Sequence, residues 1–342
     1  ISIYLFLNHY YLISMCGFLV AQSILVSDRT SFSKALELQS NRGPDAKNFY
    51  FDSTLSIGHV RLSIQDLSSL GDQPFSSRCA NYLLVYNGEI FNAEHIHRKY
   101  CPNQSLISTS DTEVLLYAIA NSLDLRELLS DIEGFFSFVF YDKINSKIIV
   151  GRDCKGVKPL YFSKTDEKYI FSSDISSIGA LQPSSFVNSD LDYASFSELC
   201  STKYISSGNT PYCSIKEILR GQVLSIDLNC GISRSFFFSQ TNNLNLPLVE
   251  SFQRSVKDRL LSDAPVATLL SGGLDSSLVT SAANSFQPIH AFTVSFPGHR
   301  HDESTYASLI AKQIGCEHTL IPFPTDQLGD IAEHLFQQIP YP

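Results

Sequence analysis

The chain has a single methionine among its 342 residues, and it stands at position 15 rather than at position 1. Cys16 follows it directly. If translation begins at Met15 and that residue is removed, Cys16 becomes the N-terminal residue and carries a thiol and a free α-amine together. The α-amine has a pKa of roughly 7.7–8.0, so part of it is unprotonated at neutral pH. An isolated cysteine is more often a small buried apolar side chain, so this pair alone does not establish a nucleophile.

Positive charge is also scarce, with 25 Lys and Arg against 34 Asp and Glu and a formal net charge of −9. No long basic run is present, whereas binding to a phosphate backbone needs clustered Lys and Arg. We therefore expect no nucleic acid among the partners. The eight cysteines include no pair with the two-residue spacing of a zinc or dithiol redox site, which favours reduced thiols in a cytoplasmic protein.

Residues 1–14 are apolar and aromatic, but they lack the basic start and the small-residue cleavage site of a signal peptide. They are also too short to span a bilayer. We expect no membrane segment and predict that these residues are a non-native extension upstream of the true start. If they stayed attached, the nitrogen of Cys16 would be an amide and could not act as a base.

Strand patterns dominate residues 15–228. Six runs rich in β-branched and aromatic residues are separated by turn residues, at 55–64, 81–90, 135–142, 147–153, 168–174 and 221–228. In the third run, period-two spacing puts Phe136, Phe138 and Phe140 on one face of a sheet. Helices are predicted at 93–100 and 111–122, the second with Asp111 as its N-cap. Strand runs with inserted helices predict a layered α+β domain.

The pattern changes after a polar, Asn- and Ser-rich stretch at 229–247, which predicts a linker. An amphipathic helix is predicted at 248–263. From 265 onward, short apolar strands alternate with helices, as is typical of a doubly wound parallel sheet. Three strands are few for such a sheet. We therefore expect 248–342 to be an incomplete α/β nucleotide-binding domain.

The segment SGGLDSS at 271–277 lies where a strand ends and a helix begins. Its two glycines allow a close approach of backbone N–H groups to a ligand, and its serines and the helix N-terminus add donors. Such a turn predicts a phosphate or pyrophosphate site. It is not the lysine-containing P-loop, whose Gly-x4-Gly-Lys pattern is absent.

Over about residues 15–342, the chain resembles the glutamine-hydrolysing asparagine synthetases. Nine short motifs stand in that family's order: Met15-Cys16-Gly17, NRGPD (41–45), GHVRLSIQDLS (58–68), GDQPF (71–75), YNGEIFN (86–92), SDTEVLL (110–116), GRDCKGVKPLYF (151–162), FSSDI (171–175) and SGGLDSS (271–277). The resemblance implies a class II glutamine amidotransferase domain at 15–228 with the N-terminal-nucleophile sandwich fold. It further implies part of an ATP pyrophosphatase-type synthetase domain at 248–342.

For the first domain, the resemblance implies a glutaminase reaction. Cys16 would attack the carboxamide carbon of glutamine and form a thioester, while its α-amine moves the proton to ammonia. Asn87 and the Gly88 N–H would form the oxyanion hole.

The substrate's charged groups are assigned in the same way. Arg61 would bind the carboxylate as a planar bidentate donor. Glu89 and Asp111 would accept hydrogen bonds from the ammonium group. The implied glutamine pocket comprises Arg61, Leu62, Ser63, Ile64, Gln65, Asn87, Gly88, Glu89 and Asp111.

For the second domain, the resemblance implies ATP and Mg²⁺ as cofactors, with Asp275 near the pyrophosphate magnesium and no other metal ligand assigned. Aspartate would be activated as β-aspartyl-AMP, which ammonia converts to asparagine. A homodimer remains open as the assembly. The implied ATP site comprises Leu269, Ser271, Gly272, Gly273, Leu274, Asp275, Ser276, Ser277 and Val294.

The sequence departs from the family in one respect. The family's second glycine- and acid-rich loop does not occur before Pro342, so we expect this chain alone to support only glutamine hydrolysis. A relative that amidates or cyclises another carboxylate, such as a β-lactam-forming synthetase, remains an alternative. A degenerate, non-catalytic interaction protein is disfavoured because the implied catalytic positions are all present. A glutaminase joined to a phosphoribosyl-transfer domain is disfavoured by SGGLDSS.

Overall fold

The computed structural model describes residues 15–23, 28–166, 168–183, 190–206, 208–231, 233–240 and 246–338. The extension predicted at 1–14 lies outside the described residues. The chain divides into two compact units, Met15–Asn242 and Asn243–Pro340, and each is described by itself.

The first unit is built mainly from strands. In chain order they are β1 (Gly17–Gln22), β2 (Ala46–Phe51), β3 (Leu55–Arg61), β4 (Phe75–Ser76), β5 (Tyr82–Ile90), β6 (Gly134–Asp142), β7 (Lys147–Arg152), β8 (Tyr161–Thr165), β9 (Lys168–Ser172), β10 (Ile215–Glu217), β11 (Gln222–Asp227) and β12 (Ser233–Phe237). Its helices are α1 (Arg29–Glu37), α2 (Ala93–Tyr100), α3 (Asp111–Asn121), α4 (Leu125–Asp131), α5 (Ile175–Leu181) and α6 (Tyr193–Thr202).

These strands form two six-stranded sheets, in the orders β10-β8-β9-β1-β3-β2 and β12-β11-β7-β6-β5-β4. Neighbouring strands within them are antiparallel. The strand β1 is central in the first sheet, with Gly17 opposite Val60 of β3. The strands β5 and β6 pair over their full length, from Tyr82 opposite Asp142 to Ile90 opposite Gly134.

The apolar cores show that the two sheets face each other. Phe18 and Val20 of β1 share one buried cluster with Leu83 and Val85 of β5. A second cluster lies between the other face of β5 and β6 and the helices α2, α3 and α4, and a third between β1, β3 and the helices α1 and α5. The unit is therefore an α–β–β–α sandwich, and the predicted α+β fold is confirmed.

Phe136, Phe138 and Phe140 are buried together under α3, as their period-two spacing predicts. The alternating face of β5 and β6 carries Val85 and Val139 into the core between the sheets. Alternate residues of β5, such as Leu83 and Val85, therefore face β1 of the first sheet.

Two local expectations are corrected. The predicted linker at 229–247 contains the strand β12, which pairs with β11 and adds an edge to the second sheet. Its Phe236 packs on the core, and the following Phe238 stacks on Phe136. The sequence around β12 is polar, so its pattern does not predict a strand; packing against the rest of the domain stabilises it.

The second correction concerns the start of α3. The N-cap is Ser110, whose hydroxyl accepts from the N–H of Thr112. Asp111 is the first helical residue, and its carboxylate is turned toward β5 instead of capping the helix.

The second unit contains α7 (Leu248–Asp258), β13 (Ala267–Leu269), α8 (Leu274–Phe286), β14 (His290–Ser295), α9 (Ser304–Ile314), β15 (Glu317–Pro322) and α10 (Leu328–Gln338). The three strands form a parallel sheet with β14 in the centre. Small apolar clusters hold the helices to it, one with Leu270 and Ala291 under α9 and another with Ala283 and Ile289 between α7 and α8. The predicted parallel α/β architecture is confirmed.

Among the described residues, no helix combines the length and the apolar character that crossing a membrane requires.

Candidate active site

Cys16 lies directly before β1 and against the end of β3. Its Sγ is 3.4 Å from the backbone nitrogen of Leu62 and 3.5 Å from the backbone oxygen of the same residue. The antiparallel register of β1 and β3 explains this contact. Gly17 is opposite Val60, so the residue before Gly17 lies beside the residues that follow Val60. The structure therefore brings Leu62 of the predicted pocket onto the thiol.

The surroundings of the thiol keep it protonated. Burial raises the pKa of Cys16 above its ordinary value, and the Leu62 N–H with the positive charges of Lys158, Arg61 and Arg42 offsets part of that rise. A thiol of this kind is not a preformed thiolate. Its attack on a carbon atom needs a group that takes the proton.

Two cations beside Cys16 were not assigned from the sequence. Nε of Arg42 donates to the backbone oxygen of Cys16 at 3.3 Å. Nζ of Lys158 is 3.4 Å from Sδ of Met15 and 4.8 Å from the ring centre of Phe135. Burial lowers the pKa of both cations. Each is a basic residue within a Gly- and Pro-containing motif, and the sequence carries no other signal for it.

Asn87 lies within β5 and offers a buried amide donor. Its side chain is 1 % exposed, and Nδ2 has no hydrogen-bond partner among the described residues. By strand alternation, Asn87 shares the face of Val85, which lies in the core with Phe18 of β1. A buried amide donor without an acceptor is costly, and a bound ligand or water is one explanation of such a group. Gly88 follows it, opposite Phe136 of β6.

Asp111 is fixed by two donors from β5. Its Oδ2 accepts from the hydroxyl of Tyr86 at 2.9 Å and from the N–H of Ile90 at 2.8 Å. Burial raises the pKa of Asp111 to about 6, although these hydrogen bonds favour the ionised form. Glu89, between these positions on β5, attracts the ammonium of Lys158. The tertiary hydrogen bond of Tyr86 had no signal in the sequence.

Arg61 is the last residue of β3, and its guanidinium is enclosed by the segment that follows it. Nη1 donates to the backbone oxygen of Ser68 and to Oδ1 of Asp72, both at 2.7 Å. Nη2 donates to the backbone oxygens of Gln65, at 3.2 Å, and Asp66. The terminal nitrogens of Arg61 are thus engaged by protein groups in this structure.

The rest of the predicted pocket segment is only partly involved. The N–H of Ser63 donates to Oδ2 of Asp45 at 2.7 Å. Ile64 follows it toward Gln65, whose side-chain Nε2 is buried without a partner among the described residues. Two unpaired amide donors, on Asn87 and Gln65, therefore occur in the set that the sequence assigned to a glutamine pocket.

In the second unit, the loop 271–277 connects β13 to α8. The hydroxyls of Ser271 and Ser276 are 2.9 Å apart, and Ser277 donates to the backbone oxygen of Gly273 at 2.6 Å. Gly272 has φ +80°, and a Cβ there would lie 2.7 Å from the backbone nitrogen of Ala307, so only glycine fits.

This loop leaves the start of α8 open to a ligand. Gly273 is the N-cap and offers no side-chain acceptor, and Asp275 in the first turn is exposed. An uncapped helix N-terminus with neighbouring hydroxyls suits a phosphate group. Leu269 and Leu274 are exposed beside it, and Val294 is on the adjacent strand β14. Within the described part of the chain, no group of three His, Cys, Asp or Glu side chains forms a metal site.

Family comparisons match both units. Residues 15–237 match the model of the glutamine amidotransferase domain, and residues 248–340 match the model of asparagine synthase. The chain is 28 % identical to asparagine synthetase [glutamine-hydrolyzing] 1 of Bacillus subtilis, over 89 % of this chain and 49 % of the relative. It is 29 % identical to amidase chyE of Penicillium rubens, over 94 % of this chain and 51 % of the relative. The chain therefore spans about half the length of these relatives.

Among solved structures, glutamine phosphoribosylpyrophosphate amidotransferase from B. subtilis aligns with a TM-score of 0.47 and 17 % identity, covering 89 % of this chain and 65 % of that one.

Proposed function

Because the chain belongs to the family of glutamine amidotransferase domains, we propose that it hydrolyses glutamine at Cys16 and supplies the ammonia for an amide synthesis. The observation that carries this proposal is the buried Nδ2 of Asn87 on the β5 face toward β1, which has no hydrogen-bond partner within the described ranges. A cysteine that served only packing would not require a polar donor held without an acceptor.

The proposed reaction begins when Sγ of Cys16 attacks the side-chain carbonyl carbon of glutamine. The α-amine of Cys16, freed by removal of the residues before it, accepts the thiol proton. Nδ2 of Asn87 and the Gly88 N–H donate to the carbonyl oxygen as it gains negative charge. The C–N bond then breaks, the amine returns the proton to the leaving ammonia, and water hydrolyses the thioester to glutamate.

The proposed pocket recognises glutamine by its charged groups. Arg61 binds the α-carboxylate, and Asp111 with Glu89 accepts from the α-ammonium. Tyr86 and the Ile90 N–H hold Asp111 in place through its Oδ2. Leu62, Ser63, Ile64 and Gln65 form the wall of the pocket next to the thiol.

We expect Asn87→Ala to lower kcat for glutamine hydrolysis by roughly 10²–10³-fold while changing KM by less than about threefold, because the donor acts on charge that develops during attack. Ammonia and glutamate release measure it. Ser137→Ala is the matched control, since Ser137 is opposite Asn87 on β6 and is also a buried polar residue. A Ser137→Ala loss as large as that of Asn87→Ala would contradict a specific oxyanion role.

Glutamine binding should weaken in acid, because the pKa of Asp111 is about 6 and the proposed ammonium contact needs the ionised carboxylate. In a Cys16→Ala chain, which binds without turnover, we expect the Kd for glutamine to rise about tenfold for each pH unit below 6. The α-amine of the chain is already protonated below pH 6, so its titration does not change the Kd in that range. Calorimetry measures the Kd, and Asp111→Asn should bind weakly and lack the change in Kd that begins near pH 6. A pH-independent Kd for the Cys16→Ala chain would contradict the assignment of Asp111.

For the second unit, we propose an ATP-dependent step that activates a carboxylate for attack by ammonia. The loop 271–277 would hold the phosphates through its backbone and the start of α8, with Asp275 on the side of a nucleotide-bound Mg²⁺. Leu269 and Val294 would flank the adenine. Bound ATP would supply the adenylyl group that activates the carboxylate, with pyrophosphate as the leaving group, and Mg²⁺ would shield the phosphate charge.

Aspartate is the acceptor we propose, through β-aspartyl-AMP to asparagine, with support from the asparagine synthase match at residues 248–340. The relative named amidase chyE favours a second candidate, amidation of another carboxylate. The two are distinguished by which carboxylate stimulates release of pyrophosphate from ATP.

A further inference from the structure

We propose that Asp72 is an internal carboxylate that occupies the substrate-carboxylate position of Arg61, and that glutamine must displace it in order to bind. The inference rests on the proposed function, in which Arg61 binds the α-carboxylate of glutamine. The contact that carries it is the ion pair between Nη1 of Arg61 and Oδ1 of Asp72, at 2.7 Å. Asp72 then sets the affinity for glutamine rather than the rate of the chemical step.

The guanidinium of Arg61 has no spare terminal donors in this structure. Nη1 and Nη2 each carry two hydrogens, and each nitrogen has two acceptors: Ser68 and Asp72 for Nη1, Gln65 and Asp66 for Nη2. A substrate carboxylate that pairs with either terminal nitrogen takes at least one of these hydrogens. At least one acceptor must therefore leave when the carboxylate binds.

Asp72 is the acceptor that can leave. The other three are backbone oxygens in a segment that is tied down, since the carboxylate of Asp66 accepts from the hydroxyl of Ser68 and from the N–H of Thr109 at 3.0 Å. Asp72 is a side chain that is 28 % exposed, whereas that of Arg61 is 6 % exposed. Rotation of one side chain into solvent releases the guanidinium without moving the backbone.

The backbone around the guanidinium is closely fitted, which argues against movement of the whole segment. A Cβ on Gly71 would lie 2.3 Å from Nη2 of Arg61, so the chain passes directly over the guanidinium. The N–H of Asp72 donates back to the oxygen of Ser69 at 3.2 Å. The segment thus shapes a position for one carboxylate on Arg61, and Asp72 fills it.

Two carboxylates on one buried guanidinium repel each other, so the internal one competes with the substrate. In chains translated from Met15, we expect Asp72→Asn to lower KM for glutamine about tenfold, which corresponds to ~1.4 kcal/mol, with kcat within about threefold of the unchanged chain. The asparagine keeps the shape but presents a neutral acceptor. In a Cys16→Ala background, the Kd for glutamine measured by calorimetry should fall by the same factor.

The competition predicts a charge-specific signature. For glutamine α-amide, in which the carboxylate is replaced by a neutral carboxamide, Asp72→Asn should change the Kd by less than about twofold. A purely structural role would move both ligands together. Asp72→Ser is the second variant, and thermal melting of each chain shows that it is folded.

Asp66→Asn is the matched control, because it removes a carboxylate of the same segment that accepts hydrogen bonds from Ser68 and Thr109. It loosens the segment and is expected to raise KM. If Asp72→Asn and Asp72→Ser also raise KM or leave it unchanged while the parent chain hydrolyses glutamine, competition by Asp72 is overturned alone. If the parent chain neither binds nor hydrolyses glutamine, the proposed function falls and this inference falls with it.

Discussion

The Cys16→Ala variant is expected to release no measurable ammonia from glutamine, a loss of roughly 10⁴-fold or more against the unchanged chain. Alanine cannot form the thioester, and the remaining donors can polarise the carbonyl but cannot attack it. Lys158, Arg61 and Arg42 are among the groups whose charges act on this thiol, and none of them is a nucleophile in its protonated state. Ammonia and glutamate release from chains translated from Met15 measure the effect.

A second thiol supplies the control. Cys79 is exposed, and a hydrogen bond with the hydroxyl of Ser77 lowers its pKa, so it is the more acidic thiol of the two. Cys79→Ala should leave hydrolysis within about twofold. A general alkylating reagent should label Cys79 equally with and without glutamine. Bound glutamine should reduce the labelling of Cys16 but not that of Cys79. Activity that survives in Cys16→Ala would remove the basis of the nucleophile assignment.

The strands of the first unit were predictable where the local pattern and the tertiary structure agree. The Phe136, Phe138 and Phe140 alternation gave the buried face of β6 because a half-buried strand needs only period-two spacing. The strand β12 was missed because its flanks are polar and its pairing with β11 is a tertiary effect. Likewise, Ser110 and Asp111 are both good N-caps, and only the burial of Asp111 against Tyr86 decides between them.

The candidate site was predictable as a set of residue types but not as a set of contacts. The family resemblance of their motifs assigned roles to Cys16, Asn87 and Asp111. The pairing of Arg61 with Asp72, eleven positions later, depends on how the intervening segment wraps the guanidinium. Lys158 contacts Met15 from 143 positions away. Such long-range contacts have no periodicity, so a single sequence carries no signal for them.

Keeping any residue attached before Cys16 is expected to lower kcat by roughly 10²–10⁴-fold, which is the usual contribution of a general base. The peptide nitrogen of Cys16 is then an amide and cannot accept the thiol proton. Burial raises the pKa of this thiol, so its attack needs a group that takes the proton. The expected loss therefore follows from the proposal that the α-amine accepts the thiol proton.

The measurement compares one polypeptide before and after cleavage of a tag that ends directly before Cys16, with the N-terminus verified by mass spectrometry. Glutamine binding by the tagged and cleaved forms of Cys16→Ala shows whether the tag blocks the pocket. If the two Kd values agree within about threefold, the tag does not block binding. A rise in kcat on cleavage is then attributed to the free α-amine of Cys16. The cleaved chain should also lose kcat as pH falls below about 8, following protonation of that amine. Equal kcat before and after cleavage would refute the role of the amine while leaving the thiol as nucleophile.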